Sequence, residues 1–149
     1  MNYNNARHKL LVIHSQALQK QGKSLWVEDP KASFELTNYQ ISVEEQVFWT
    51  HRQNFFLIME SFINNILDFD EFENAFSLLY RKVCKEIDML RIDLEYIDKF
   101  QPSTRPYTFA PVMGSIYRQF EGVQDEYITE QEVKDYVKKK YLEFQKFKE

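Results

Sequence analysis

Apolar residues recur every three or four positions along most of this chain, which is the spacing that places side chains on one face of an α-helix. The longest stretch of this kind runs from Asp68 to Asp98 without a proline or glycine. Asp68 and Glu71 have the spacing of a capping box, which is typical of a helix start. The pattern predicts one helix about 45 Å long, with a kink as an alternative to a straight helix. Its apolar face is expected to consist of Phe72, Phe76, Leu79, Val83, Ile87, Leu90, Leu94 and Ile97.

Before this stretch, the pattern predicts a helix followed by an irregular connector. The helix covers residues 5–21, ends at Gly22, and has one face formed by Leu10, Leu11, His14 and Leu18. Residues 23–41 lose the periodicity and contain Pro30, and their aromatic side chains are expected at the surface: Trp26, Phe34 and Tyr39. Such a connector is long for a compact fold, so a short helix within it and a contact with a partner are both alternatives.

Three more helices are predicted, over residues 42–67, 111–122 and 129–147. The first and last of them begin with Ser or Thr followed three residues later by Glu, which is the capping-box pattern. A proline-containing loop is expected over residues 99–110. These elements predict that the helix after the loop is short and that the last helix closes a bundle.

The predicted fold class is all-α, a four- to five-helix antiparallel bundle with an N-terminal helical extension. A chain of 149 residues fits a single domain over 1–149, in which 1–41 form the N-terminal helix and connector and 42–149 form the bundle core. An apolar content of 44% excludes disorder, and only 3 glycines and 4 prolines disfavour a turn-rich β fold.

No catalytic, metal or cofactor motif is present in the sequence. The three histidines are far apart, Cys84 is the single cysteine, and the three glycines are isolated, so neither a zinc site nor a phosphate-binding loop is expected. A Cys–His pair that forms only in the fold stays an alternative, and an inert Cys84 is favoured. We therefore predict a protein that is not an enzyme and has no cofactor or metal.

Negative charge is concentrated in the middle of the chain. The net charge is −4, yet residues 68–132 contain 14 acidic and 7 basic residues. An acidic face would complement a basic partner, and the alternative is that these charges only keep the chain soluble. The C-terminal lysines complement a helix dipole, so no direct nucleic-acid contact is expected. The acidic residues considered for this face are Glu71, Glu86, Asp93, Glu121, Asp125, Glu126 and Glu130.

The sequence predicts a soluble, intracellular protein. No apolar run is long enough to cross a bilayer, and no leader sequence is recognised, so membrane insertion is not expected. The abundance of Phe, Tyr, Asn, Ile and Lys is typical of AT-rich genomes, including those of plastids. The expected location is the cytoplasm, or the chloroplast stroma if the protein is plastid-encoded.

Four segments in the second part of the chain form a further pattern: a helix over 54–67, the Asp-Glu-Phe turn at 70–72, residues 95–102 with Arg105 after them, and residues 128–133 followed by an apolar helix. On these segments, the chain resembles the colicin D immunity-like family of small helical bacterial self-protection proteins over residues 53–148. The resemblance implies a four-helix core whose acidic side chains occupy the basic RNA-binding cleft of a tRNA-cleaving toxin as a non-catalytic substrate mimic.

Two binding surfaces follow as hypotheses. The immunity-like interpretation predicts partner contacts at Glu95, Asp98, Arg105, Asp125, Glu126, Glu130 and Glu132. The alternative is a small accessory or structural subunit of a larger cyanobacterial or plastid complex, in which the immunity-like fold is reused. That alternative predicts contacts through Trp26, Phe34, Tyr39 and Tyr107.

Overall fold

The computed structural model describes residues 3–100 and 108–147, without the side chains of Ile92 and Lys99. Within these ranges the chain forms helices and no strand, which confirms the all-α class. The predicted contact residues Arg105 and Tyr107 lie outside the described residues. The helices are α1 (Asn5–Lys20), α2 (Leu25–Glu28), α3 (Pro30–Thr50), α4 (Arg52–Ile63), α5 (Phe69–Ile92), α6 (Leu94–Lys99), α7 (Phe109–Gln124) and α8 (Glu130–Phe144).

Residue contacts group the chain into two compact units, which are described separately. Unit 1 comprises Met1–Val47 and Lys85–Arg105, and unit 2 comprises Phe48–Cys84 and Pro106–Glu149. In unit 1, α1 packs against α2 and α6, and in unit 2, α8 packs against α4 and α7. The single-domain boundaries and the size of the antiparallel bundle stay predictions.

The bounds of α1 confirm the first predicted helix. The Asn4 side chain accepts a hydrogen bond from the backbone N–H of Arg7, which caps the start. At the other end Gly22 adopts φ +70°, and the N–H of Lys23 donates to the carbonyl of Leu18 at 2.9 Å, as in a Schellman motif. The predicted buried face is partly wrong, because the side chains that α1 buries are His8, Leu11 and Val12, while Leu10 is exposed and His14 lies outside this buried set.

The prediction of an irregular connector over residues 23–41 is wrong, and the alternative of one short helix within it underestimates the helical content. After α2, the 21-residue helix α3 begins directly at Pro30, whose fixed φ suits a first helical position. The Asp29 carboxylate accepts the backbone N–H of Ala32 at 3.1 Å and caps this start. The helical periodicity is present in the buried positions of α3, which include Ala32, Leu36, Tyr39, Val43 and Val47.

The helix predicted over residues 42–67 is divided differently in the structure. Ser42 is not a helix start, because it lies inside α3 and its hydroxyl donates to the carbonyl of Asn38 at 3.2 Å. The helix is interrupted at His51, between α3 and α4. At the end of α4, Asn65 adopts φ +60° and the N–H of Ile66 donates to the carbonyl of Ser61 at 2.8 Å, which forms another Schellman motif.

The long predicted helix is confirmed at its start and interrupted near its end. The Asp68 carboxylate accepts the N–H of Glu71 at 2.8 Å, and the Glu71 carboxylate accepts the N–H of Asp68 at 3.1 Å. α5 then runs to Ile92, after which Asp93 becomes the N-cap of α6 and accepts the N–H of Glu95 at 3.0 Å. The Asp93 side chain thus caps the start of α6, and the helix that was predicted to continue to Asp98 ends at Ile92.

The last two helices confirm the predicted order. α7 is longer than the predicted 111–122 at both ends, so Gly122 lies inside it. The chain leaves α7 through Glu126, which adopts φ +63°, while the N–H of Tyr127 donates to the carbonyl of Gly122 at 2.8 Å. The capping box that Thr129 and Glu132 predict at the start of α8 is present.

Replacing Thr129 with alanine is expected to lower the free energy of unfolding by about 1 kcal/mol, because the hydroxyl that accepts the Glu132 N–H at 3.1 Å would be lost. Urea denaturation followed by circular dichroism measures this change. Thr129→Ser is the matched control, since it keeps the hydroxyl. An equal loss in both variants would contradict a capping role.

Each unit has its own apolar core. In unit 2 the core is built from aromatic rings, and Phe62 and Phe72 stack with their centroids 4.1 Å apart. The buried cluster of unit 1 consists of Leu11, Val12, Leu25, Ala32, Leu36, Tyr39 and Ile97.

Among the described residues, no helix combines the length and the apolar character that crossing a bilayer requires.

Candidate functional site

An open pocket of about 350 Å³ lies in unit 2, where α4 ends and where α5 and α8 begin. We name it the acidic pocket. Phe62 and Phe69 are nearly fully buried and supply apolar surface, whereas Ile66 is exposed. The complete lining is Phe62, Asn65, Ile66, Leu67, Asp68, Phe69, Glu71, Glu130, Gln131 and Lys134.

Three carboxylates and one ammonium group line the acidic pocket. Asp68 and Glu71 are held in place by their reciprocal capping hydrogen bonds at the start of α5. Glu130 is the first residue of α8. All three therefore lie at helix N-termini, where the helix dipole stabilises negative charge. The helix dipoles thus offset part of the repulsion among the three carboxylates that line this pocket.

Lys134 does not neutralise these carboxylates by direct contact. Its ammonium group donates to the side-chain oxygen of Asn65 and lies 5.2 Å from the centroid of the Phe62 ring. Within the described part of the chain, no ion pair joins Lys134 to Asp68, Glu71 or Glu130. With three carboxylates and one ammonium group, the lining of the pocket has a net negative formal charge.

The predicted contact residues of unit 2 are all exposed within the described part of the chain, and Glu130 alone among them lines the acidic pocket. Asp125 is the C-cap of α7, and Glu126 follows it in the left-handed conformation. The Glu132 carboxylate accepts the backbone N–H of Thr129 at 3.2 Å, so part of its role is structural.

The remaining predicted acidic contacts belong to unit 1. Glu95 is exposed in the first turn of α6, and the Asp98 carboxylate forms an ion pair with Lys9 at 2.6 Å. Of the wider acidic set, Glu86 and Asp93 also belong to unit 1, whereas Glu71 and Glu121 belong to unit 2. The expectation that these residues form one face stays a prediction.

The aromatic residues of the alternative binding surface differ in their exposure. Trp26 and Phe34 are 66% and 65% exposed, as expected. The expectation is wrong for Tyr39, which is 5% exposed because its ring packs edge-on against Tyr3 at 5.4 Å and stacks on His8 at 5.8 Å. Tyr39 therefore belongs to the interior of unit 1.

His8 is fully buried in unit 1 and has a hydrogen bond to Tyr3, with 2.6 Å between Nδ1 and the phenol oxygen. Its Nε2 has no hydrogen-bond partner among the described residues. Burial lowers the pKa of His8 to about 4, so the imidazole is neutral near pH 7. Burial, with a smaller contribution from Tyr39, raises the pKa of Tyr3 to about 12.

Sequence reasoning misses the apolar part of the acidic pocket. Glu71 and Glu130 are candidates for an acidic face, but Phe62, Leu67 and Phe69 carry no signal in the sequence beyond helix periodicity. Asp68 is recognisable from the sequence only as a cap. The available signal is the short Asn-Ile-Leu-Asp link between two amphipathic helices, which brings a helix end and a helix start close together.

Comparison of the chain with protein-family models, with curated proteins and with solved structures finds no match. The resemblance to the immunity-like family therefore stays a prediction. Across residues 3–100 and 108–147, His, Cys, Asp and Glu side chains do not gather in groups of three that could hold a metal ion.

Proposed function

We propose that this chain is a non-enzymatic, immunity-like protein-binding module, and that its acidic pocket receives a basic side chain of a partner such as a tRNase toxin domain. One observation supports this proposal most strongly. Asp68, Glu71 and Glu130 line an open pocket that also offers apolar surface, and the ammonium group of its lining lysine contacts an amide and a ring instead.

The chemistry of the pocket suits arginine or lysine. Both side chains combine an apolar stem with a charged end, so the stem would pack on Phe62, Leu67 and Phe69 while the charge meets the carboxylates. A guanidinium group additionally offers paired donors to a carboxylate. The negative field would steer a basic surface toward this site and disfavour acidic partners.

The other predicted acidic residues have secondary roles in this proposal. Asp125, Glu126 and Glu132 are exposed on or beside the segment that joins α7 to α8, and they would contact the rim of the partner's basic surface. Glu95, Asp98 and Arg105, from unit 1, are proposed as contacts on the strength of the family resemblance alone. The proposed location is the cytoplasm, or the stroma of a chloroplast.

Neutralising Glu71 and Glu130 together is expected to weaken binding of the basic partner about tenfold at low salt, because two attractive charges leave the pocket. The substitutions are Glu71→Gln and Glu130→Gln, and the glutamine at 71 keeps the oxygen that caps Asp68. The partner is first obtained by affinity purification of the tagged chain from its own cells at low and moderate salt. Isothermal titration calorimetry of this partner with each variant then measures the affinity.

Glu28→Gln with Glu143→Gln is the matched control, since it changes the net charge equally at two exposed residues outside the pocket. The control is expected to bind like the unchanged chain. Equal weakening by both double variants would show that the effect arises from the net charge of the chain and not from the pocket. A stoichiometric partner whose affinity responds to neither pair would overturn the acidic-pocket proposal.

An accessory subunit of a larger complex, of cyanobacterial or plastid type, is the second candidate function. The observation in its favour is the exposure of Trp26 and Phe34, two large aromatic side chains in unit 1. The variant W26A/F34A tests it in the same purification. Loss of a large, salt-resistant assembly would favour this candidate, and an unchanged assembly would contradict it.

A further inference from the structure

An open pocket of about 310 Å³ lies in unit 1 and is lined by residues of α1, α2 and α3. We name it the Trp26 pocket. The Trp26 side chain lines it and is 66% exposed, while Leu25 and Leu36 are nearly fully buried and supply apolar surface. The rest of the lining is Lys23 and six uncharged polar residues: Ser15, Gln19, Ser24, Ser33, Thr37 and Gln40.

Most polar side chains of the Trp26 pocket have hydrogen-bonding capacity that the protein does not use. Thr37 is the exception, because its hydroxyl donates to the carbonyl of Ser33 at 3.0 Å. Ser24 is the N-cap of α2, yet its hydroxyl accepts no capping hydrogen bond. Within residues 3–100 and 108–147, four more side chains have no hydrogen-bond partner: Ser15, Gln19, Ser33 and Gln40. Amides and hydroxyls both donate and accept, so this lining suits a ligand rich in hydroxyl groups.

The ring of Trp26 offers a stacking surface beside these polar groups. In the part of the chain that the structure describes, it contacts neither another aromatic ring nor a cation. Trp49 in unit 2 differs, because it is 3% exposed and packs edge-on against Phe109 at 5.3 Å. The face of an indole ring is electron-rich and attracts C–H groups, which have a small positive charge.

The charge of the Trp26 pocket favours a neutral ligand. Lys23 is the one charged residue among the described lining residues, and it is exposed, so its attraction for an anion is weakened by water and salt. A cation would find no carboxylate in the same described lining. A pyranose ring with equatorial hydroxyl groups matches the remaining chemistry, because its hydroxyls surround the rim and its C–H bonds form two apolar faces.

We propose that the Trp26 pocket binds a neutral saccharide built of such rings, with one ring stacked on the indole of Trp26 and its hydroxyl groups bonded to Gln19 and Gln40. Ser15, Gln19 and Gln40 also line an adjoining cavity of about 170 Å³, so the ligand is expected to contain more than one ring. The site belongs to unit 1 and shares no residue with the acidic pocket.

The first test is an NMR titration of the ¹⁵N-labelled full chain with cellobiose, a neutral disaccharide whose ring hydroxyls are equatorial. The signals of the Trp26 indole N–H and of the Gln19 and Gln40 amides are expected to shift saturably, with a dissociation constant of about 1 mM. The indole N–H of buried Trp49 is the internal control and should not shift.

Mannitol is the matched control ligand, because it has many hydroxyl groups and no ring face to stack. It is expected to cause no saturable shift. Absence of a saturable shift with cellobiose up to about 50 mM would overturn the proposal. Equal binding of mannitol and cellobiose would also overturn it, since stacking would then contribute nothing.

The variant Trp26→Ala is expected to weaken cellobiose binding about tenfold, because the stacking surface is lost. Phe34→Ala is the matched control, since Phe34 is 65% exposed in the same unit and does not line the pocket. It should bind cellobiose like the unchanged chain. Equal weakening by W26A and F34A would contradict a specific role of Trp26 and overturn the proposal.

The variant Gln19→Leu is expected to weaken cellobiose binding about fivefold, because hydrogen bonds to the saccharide are lost while the size of the side chain is nearly kept. Gln21→Leu is the matched control, since Gln21 is exposed at the end of α1 and does not line the pocket. Unchanged affinity in Q19L would overturn the assignment of a saccharide to this pocket.

Two further titrations distinguish this proposal from its alternatives. Adenosine tests for a planar base, which could also stack on Trp26. If adenosine bound more tightly than cellobiose and lost affinity in W26A, the pocket would be a nucleobase site and the saccharide proposal would be overturned. The variant E71Q/E130Q should bind cellobiose like the unchanged chain, so failure of this proposal is distinguishable from failure of the acidic-pocket proposal.

Discussion

Truncation of Phe72 to alanine is expected to lower the free energy of unfolding by about 3–5 kcal/mol. Phe72 is fully buried, its ring stacks on Phe62 at 4.1 Å with an interplanar angle of 7°, and it meets the edge of Phe120 at 5.6 Å. The substitution removes the apolar contacts of the ring and leaves a cavity that its aromatic neighbours fill only in part. Urea denaturation followed by circular dichroism measures the loss.

Leu78→Ala is the matched control, because Leu78 belongs to the same helix and is 69% exposed. We expect it to change the free energy of unfolding by less than about 1 kcal/mol. Phe72→Leu keeps most of the apolar volume and should fall between the two. If F72A lowered the free energy of unfolding by less than L78A does, the core of unit 2 would not depend on this ring.

The helix that contains Phe72 shows how much of the fold the sequence predicts. In this helix Leu79 is half-buried, and the other side chains expected on the same face are buried: Phe72, Phe76, Val83, Ile87 and Leu90. Periodicity succeeds here because a three-to-four spacing has one physical interpretation when no glycine or proline interrupts it. The start at Asp68 is also predictable, since a capping box depends only on local backbone geometry.

Helix boundaries inside continuous helical stretches are predicted less well. Ser42 and Asp93 are both residue types that favour caps, yet Ser42 lies inside α3 and Asp93 starts α6. A short polar side chain can bond either to the preceding turn or to the following N–H groups, and the tertiary environment decides between them. Pro30 suggests an irregular segment in the sequence, although it occupies the first position of a helix.

The candidate site is predictable in its charge and not in its shape. Glu71 and Glu130 both follow from the distribution of acidic residues. The apolar part of the pocket depends on how α4 packs against α8 within unit 2, which brings Phe62 near Lys134 although they are far apart in sequence. Such long-range packing has no signature in a single sequence.

The burial of His8 leads to an expected pH dependence of stability. Burial lowers the pKa of His8 to about 4, whereas an unfolded chain has a histidine pKa near 6.5. Between these values the unfolded state binds a proton that the folded state does not, so acidification favours unfolding. The contribution of His8 to stability is fully present above about pH 7.5 and decreases as the pH falls from about 6.5 to 4, by about 3 kcal/mol in total.

The variant His8→Phe isolates this contribution, because it keeps a ring of similar size and cannot bind a proton. H8F is expected to lose stability less steeply than the unchanged chain between pH 6.5 and 4, when urea midpoints are compared at matched pH. His14→Gln is the matched control, since His14 is on the same helix and outside its buried set, and it should keep the original slope. If H8F and H14Q showed the same slope, protonation of His8 would not be the cause. A reduced slope in H8F alone would locate the acid sensitivity at the ring cluster of Tyr3, His8 and Tyr39, because protonation would place a charge on the buried imidazole that packs against the other two rings.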